Sequence, residues 1–266
     1  MSTDESSLIV CQAQHQGTRE YQEDALGGTS LTESSFILKN GYLAVLADGM
    51  GGLSNGSMAS HTAIDRFLQE HRHRSPEEPA TAFLQRTLRI ANIGVFDKAF
   101  QDGQEVELGT TLVAALIEKN HLHWVSVGDS HIFHYREGRL QQLNTEHVYG
   151  NQLQLQVKNG EMSAEEALNH PEKDYLTSYL GLPELPEIDG SQEPLELRVG
   201  DKVLLCSDGL SGVLSREEMA EIMGSPSRDP ATEMIQQVLA KKRRHQDNVS
   251  VIVIQYTATH ITRQMK

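Results

Sequence analysis

The chain has 266 residues, 38% hydrophobic and 23% charged, a balance that excludes a disordered or fibrous polymer and suits one or two globular domains. With 23 Lys and Arg against 37 Asp and Glu the formal charge is -14, so the averaged surface field repels nucleic-acid backbones and anionic membranes. No apolar run approaches the roughly 20 residues of a membrane span, and Met1 to Ser7 lacks the basic and apolar regions of a signal peptide; a cytoplasmic location is expected.

In chain order, Tyr42 to Ala47 is the first strand candidate, short and apolar. Two helical stripes come next: Ala59, Ala63, Ile64, Phe67 and Leu68 share one face, as do Leu84, Leu88, Ala91 and Val95. The second stripe is expected to start near Pro76, because a first helical turn tolerates proline. Thr111 to Ile117 and His121 to Val127 are strand candidates whose connection, Glu118-Lys119-Asn120, is too short for a parallel crossover, so they are expected to pair antiparallel. After a strand at Ile132 to Tyr135, the polar stretch Asn144 to Pro194 holds several prolines and one short helical candidate. That candidate opens on the capping-box pair Ser163 and Glu166. The stretch is read as a surface excursion, and long excursions are often functional. A strand at Lys202 to Cys206 precedes a second capping box, Ser215 with Glu218, and a helix from Pro230 that carries Met234, Ile235, Val238 and Leu239 on one face. Lys241-Lys242-Arg243-Arg244 is read as the solvated end of that helix, complementing its dipole, in preference to a docking patch. Val249 to Tyr256 is the last strand. No repeat or linker divides the chain, so residues 1–266 are expected to form a single domain with a core of about 14–256 and the excursion at about 144–194.

Acidic residues recur at strand edges and in Gly-rich turns: Glu23-Asp24, Asp48 in Leu-Ala-Asp-Gly-Met-Gly-Gly, Asp129 in Val-Gly-Asp-Ser, Asp208 in Cys-Ser-Asp-Gly and Asp247 in Gln-Asp-Asn. Any one of these alone reads as a turn, since Asp caps its own backbone and Gly supplies positive φ. Together they read as a cluster whose mutual repulsion calls for protons or a hard cation, and oxygen ligands favour Mg²⁺ or Mn²⁺. Gly49, Gly51 and Gly52 either let the backbone approach a metal or phosphate or form an ordinary turn. Arg19 offers a planar fork for two phosphate oxygens, or else a surface salt bridge. Cys11 and Cys206 have no CxxC spacing, and the twelve histidines no HExxH spacing, so neither a disulfide scaffold nor a zinc site is expected. His71, His73 and the histidines without another reading are taken as solvated, while Cys206 and Trp124 are expected to pack in the core.

The motifs Gln16-Gly17-Thr18-Arg19 with Glu23-Asp24, Asp48-Gly49-Met50-Gly51-Gly52, Gly109-Thr110-Thr111, Gly128-Asp129-Ser130, Ser207-Asp208-Gly209-Leu210 and Asp247-Asn248 stand in an order and spacing that resemble the metal-dependent serine/threonine protein phosphatases of type 2C. The resemblance runs from about Gln14 to Tyr256. It implies an α+β fold with a central antiparallel β-sandwich, helices on both outer faces, and metals in a cleft at one end. By position, Asp48 would be shared by two Mg²⁺ or Mn²⁺ ions, Asp208 and Asp247 would bind the first, and Glu23 with the Gly49 carbonyl the second. Asp24 would orient metal-bound water without binding metal. The resemblance further implies hydrolysis of phosphoserine and phosphothreonine in proteins by direct attack of a metal-bridging water, with Arg19 holding the phosphate. The same likeness suggests a third, weaker ion at Asp129 with Asp208, near a flap formed by the excursion; Asp129 as a turn cap is the other reading.

Two departures stand out against the resemblance. Met50 occupies the place of a His that many eukaryotic members use as general acid, a bacterial-type feature; His131 replaces the usual Arg after Gly-Asp-Ser and receives no role. Thr145-Glu146-His147 is similar to the Thr-x-Asp-His run that opens the flap, with His147 read as a structural hydrogen-bonding residue. The partners implied are phosphorylated proteins, substrates of a cognate serine/threonine kinase, acted on by a monomer. The competing readings are a docking pseudophosphatase, which the retained Glu23, Asp48, Asp208 and Asp247 disfavour, and a metal-dependent nuclease or small-molecule phosphohydrolase.

Overall fold

The computed structural model describes residues 6–51, 55–99 and 108–258; Gly52 lies outside them. From the N-terminus the chain forms β1 (Ser6–His15), β2 (Ala25–Gly28), α1 (Ser34–Asn40), β3 (Tyr42–Ala47), β4 (Gly49–Met50), α2 (Asn55–Arg72) and α3 (Ala80–Ala99). Next come β5 (Gly109–Thr110), β6 (Leu112–Glu118), β7 (His121–Val127), β8 (His131–Arg136), β9 (Arg139–Gln142), α4 (Tyr149–Asn159) and α5 (Ala164–Leu168). The rest is β10 (Asp189–Gly190), β11 (Leu195–Glu196), β12 (Lys202–Cys206), α6 (Asp208–Ser211), α7 (Arg216–Gly224), α8 (Pro230–Ala240) and β13 (Val249–Ala258).

One large sheet has the order β1-β13-β12-β8-β9 and a second the order β10-β7-β6-β3-β2, with β11 also on β7, while β4 and β5 form a small third sheet; neighbours are antiparallel throughout. The expected hairpin is β6 and β7, paired from Leu112↔Val127 to Glu118↔His121. Side-chain alternation explains how the layers stack. Leu43, Val45 and Ala47 of β3 pack against α2 and α3, while Tyr42, Ala44 and Leu46 face Val203, Leu205, Ile252 and Ile254 of the other sheet. Val249, Val251 and Val253 turn the opposite way, onto Met219, Met223, Met234 and Val238 of α7 and α8. Strands buried on both faces read as continuous apolar runs, which is why β3, β6, β12 and β13 are visible in the sequence. The result is a sandwich between two helical layers, the α+β arrangement expected. Cys206 is fully buried and Trp124 packs against the core between the sheets.

Four expectations need correction. Helix α3 starts at Ala80 behind Pro79, whose carbonyl accepts from Phe83 N; Pro76 sits inside the turn closed by Glu78 N to Ser75 O, where a fixed φ serves equally well. The excursion holds α4 besides the capped α5, and α4 buries only Leu153. Helix α8 ends at Ala240, so Lys241 caps it and the three cations after it lie beyond the helix. His71 is not solvated: its ring is buried, with Nε2 at 3.0 Å from Asn40 O and Nδ1 at 3.1 Å from Thr29 Oγ1, and burial lowers its pKa. His131, His134 and His147 are buried too, whereas His73 is exposed.

Candidate active site

The motif residues fall where strands stop. β2 starts after Asp24, β3 stops before Asp48, β12 stops two residues before Asp208, β13 starts two residues after Asp247, and Asp129 lies in the turn between β7 and β8. Antiparallel register levels these ends, because Ala25 opposes Ala47, Leu112 opposes Val127, and Cys206 opposes both Val251 and His131. Five carboxylates from separate segments, Glu23, Asp48, Asp129, Asp208 and Asp247, therefore line one cleft of about 710 Å³ with Arg19, Gly49, Met50 and Asn248.

Backbone hydrogen bonds hold this rim. Asp48 O accepts from Thr111 N at 2.9 Å and Thr110 Oγ1 at 2.8 Å, and Asp48 N donates to Thr111 Oγ1 at 3.1 Å. Thr111 Oγ1 also meets Ser130 Oγ at 2.7 Å, which couples the Asp48 turn to the Asp129 turn. Asn248 Oδ1 accepts from Glu23 N at 2.7 Å, while its Nδ2 donates to Gln16 O and Tyr21 O at 2.8 and 3.0 Å. Gly17, at φ +66, has no room for a Cβ, which would lie 2.3 Å from Asp247 O. Glu23 Oε1 accepts from Gly56 N at 3.2 Å in the first turn of α2. Asp24 is buried; its Oδ2 accepts from Ser207 Oγ at 3.0 Å.

The electrostatics are those of crowded anions. Asp48 is raised well above the ordinary carboxylate range, first by burial and then by the charges of Asp24, Asp208, Asp129 and Asp247. Burial leads in the other cases as well: Asp24 is pushed up to about 6, Asp129 to about 7, and Asp208 and Glu23 upward. Asp247 Oδ2 is paired with Arg19 Nη2 at 2.5 Å, the arginine side chain remaining 59% exposed at the rim. Among the described residues, no three His, Cys, Asp or Glu side chains converge closely enough to hold an ion as they stand. The fit to a metal rests instead on donor chemistry: all-oxygen ligands, several of them raised in pKa by burial and then by one another's charge, are neutralised by a hard divalent cation.

The excursion packs onto this end. Leu180 exchanges both backbone hydrogen bonds with Thr110, and the Tyr179 ring covers Gly109, where a Cβ would lie 2.7 Å from the ring. Asp174, Tyr175, Leu176 and Tyr179 line the cleft opposite the carboxylates. His147 Nδ1 accepts from Gly128 N at 3.0 Å, the structural role read for it. His131, left without a role in the sequence, joins β8 to α6 and to the segment after β9: Nε2 is 2.6 Å from Glu146 Oε1 and Nδ1 3.1 Å from Ser211 Oγ, beside a second cleft that shares Asp129, Asp174 and Asp208 with the first. Sequence reasoning also missed the roles of Thr110, Thr111 and Asn248, although all three stand within the acidic and Gly-Thr-Thr motifs; the signal lay in their side-chain chemistry, which suits backbone capping. No helix of the described residues is long and apolar enough to cross a membrane.

The protein phosphatase 2C family model matches residues 11–249. The serine/threonine phosphatase stp of Listeria monocytogenes is 30% identical over 226 residues, covering 83% of this chain and 86% of that protein. The crystal structure of the Mycobacterium tuberculosis serine/threonine phosphatase PstP/Ppp aligns with a TM-score of 0.76 at 29% identity, over 93% of this chain and 98% of that one. The PstP catalytic domain in complex with two manganese ions aligns with a TM-score of 0.72 at 28% identity, over 95% and 100% of the two chains. A family model spanning most of the sequence, on a sandwich that gathers that family's acidic motifs at one end, means that this chain belongs to the protein phosphatase 2C family, the metal-dependent serine/threonine protein phosphatases.

Proposed function

We propose that this protein hydrolyses phosphoserine and phosphothreonine side chains at the five-carboxylate cleft, and that Glu23, Asp48, the Gly49 carbonyl, Asp208 and Asp247 hold two divalent ions there. The observation that carries the reading is the gathering of Glu23, Asp48, Asp129, Asp208 and Asp247 on one cleft with Arg19 at its rim. Mg²⁺ and Mn²⁺ both suit oxygen donors, and the manganese bound by the PstP catalytic domain favours trying Mn²⁺ first. Asp129 with Asp208 is proposed as a third, weaker site. Bound divalent ions supply charge neutralisation and lower the pKa of water toward neutrality.

The chain's own groups do the rest. Arg19 shares its guanidinium between Asp247 and an incoming phosphate, so that charge developing on the equatorial oxygens meets a fixed cation. Asp24, enclosed beside Ser207, is a positioning residue that accepts a hydrogen bond from the attacking water and aims it. Met50 offers no proton, so it serves as an apolar wall. One chain brings every proposed ligand, which supports a monomer, and the substrates are the products of a serine/threonine kinase.

The test is phosphate release from a phosphothreonine peptide with Mn²⁺, Mg²⁺ or chelator, for the native protein and for Asp208→Asn and Asp48→Asn. Metal-dependent release, lost by at least about a hundredfold in both variants while their circular dichroism is kept, is expected. Full activity in both variants would sink the metal assignment. Hydrolysis of small phosphate esters without any peptide turnover would favour a small-molecule phosphohydrolase.

A further inference from the structure

We infer that Lys242, Arg243 and Arg244 form a docking strip for acidic residues that flank the phosphorylated side chain of the substrate, an inference that rests on the phosphatase reading above. The helix dipole accounts for Lys241, which caps α8 and pairs with Glu218 of α7. It does not account for the next three cations, because a dipole's effect fades within the last turn. Lys242, at φ +50, Arg243 and Arg244 are exposed beyond the helix, and among the described residues none engages their side chains in a hydrogen bond or ion pair.

The strip leads straight into the active site. Gln246 is buried, and its backbone is bonded to Thr18 in both directions, with Thr18 N to Gln246 O at 2.8 Å and Gln246 N to Thr18 Oγ1 at 3.0 Å. This ladder sets the cations beside the loop that carries Arg19. With Lys241 paired to Glu218 and Arg19 to Asp247, Lys242, Arg243 and Arg244 remain as a local run of cations without an acidic partner among the described residues, on a protein of charge -14. At physiological salt the screening length is about 8 Å, so a ligand on the strip answers to these local charges more than to the distant total.

Reach agrees with charge. Arg244 and Lys242 lie three and five residues from Asp247, at most about 10 and 18 Å along the chain, and less where the backbone turns at Lys242 and bends at residues 244–245. A substrate strand advances about 3.3 Å per residue, so with its phosphate in the cleft it lays residues some three to five positions away over the strip. A long polyanion such as RNA would meet the repulsion of the rest of the surface, whereas a short acidic segment tethered by its phosphoresidue would not.

The test compares three phosphothreonine peptides of equal length, with Glu, Ala or Lys at three to five residues on either side, in the native protein and in the double variant Arg243→Glu/Arg244→Glu. The native enzyme is expected to favour the acidic over the neutral peptide about five- to tenfold in kcat/KM, with the preference shrinking at high salt. The double variant should lose or invert that order while turning over p-nitrophenyl phosphate at the native rate. An unchanged order of peptides in the variant overturns the strip. So does a variant whose only defect is weaker binding of an oligonucleotide or of anionic vesicles. If the native protein hydrolyses neither peptide nor p-nitrophenyl phosphate with Mn²⁺, the phosphatase reading has failed by itself. Fluorescence anisotropy of the labelled acidic peptide then decides the strip: binding lost in the variant sustains it, and equal binding overturns it.

Discussion

Asn248 makes three hydrogen bonds whose far ends all lie in the 16–23 segment, so one buried amide fixes the path on which Arg19 and Glu23 are mounted. Its removal should act on the site more than on the fold. Asn248→Ala is expected to weaken Mn²⁺ binding by roughly ten- to a hundredfold, the usual cost of losing a group that orients a ligand; calorimetric titration of Mn²⁺ checks this, and native affinity would assign Asn248 to packing alone. Gly209 is the converse case, a residue defined by what it leaves out. A Cβ there would lie 1.8 Å from Asn248 O, so Gly209→Ala must displace that carbonyl and should cost about 1–3 kcal/mol in denaturant unfolding. At this scale the acidic residues were legible only as a set, because any one of them alone reads as a turn and it is their recurrence that points to a shared cation. Asn248, Thr110 and Thr111 were less so, because a side chain that bonds to backbone is identified by its partner, and the partners are up to 232 residues away. His131 was opaque for the same reason: its bonds run to Glu146, in the segment after β9, and to Ser211 of α6.

Elements announce themselves when their burial pattern is strong. β3 and β12 are buried along their whole length and stood out as apolar runs, and both capping boxes appear as spaced, with Ser163 and Ser215 accepting from Glu166 and Glu218 backbone N–H groups. Replacing Ser215 with Ala should cost about 1 kcal/mol of stability through the loss of the α7 cap; a denaturant midpoint that falls while peptide hydrolysis holds is the expected result, and an unchanged midpoint would deny the cap its weight. Elements with weaker burial were hidden. β1 is an edge strand with Gln12 and Gln14 exposed, β2 is half glycine, and in α4 the run Gln-Leu-Gln-Leu-Gln has a period of two, which conceals a helix that buries one residue. Gly27 in β2 shows what the glycines were for: its Cβ would strike Ile64 of α2 at 2.4 Å, so a bare backbone lets the helix close on the sheet.

For the molecule as a whole, the crowded acids link stability to pH and to metal. Asp24 at about 6 and Asp129 at about 7 stand above an unfolded aspartate near 4. Between those limits the folded state holds protons that the unfolded state has released. The stability these groups contribute is therefore complete below about pH 4 and is lost as pH rises through 6 to 7. In chelator the melting temperature is expected to carry a downward component from pH 5 to 8 that shrinks in Asp129→Asn and on adding Mn²⁺; the same pH profile in all three conditions would contradict the linkage. The four-layer architecture was legible in outline through the family resemblance, and two-sided burial marked only its central strands, as apolar runs; the pairing of the sheets left no sign, since register between distant strands leaves no local mark. The longest such pairing joins β1 to β13, from Ser6↔Ala258 to His15↔Val249. It has a consequence during synthesis. A ribosome emits β1 first and must make some 230 further residues before its partner exists, and Asp247, which stands two residues ahead of that partner, comes with it. A nascent chain thus has neither a closed sheet nor the full set of carboxylates that line the cleft until translation has passed the last strand.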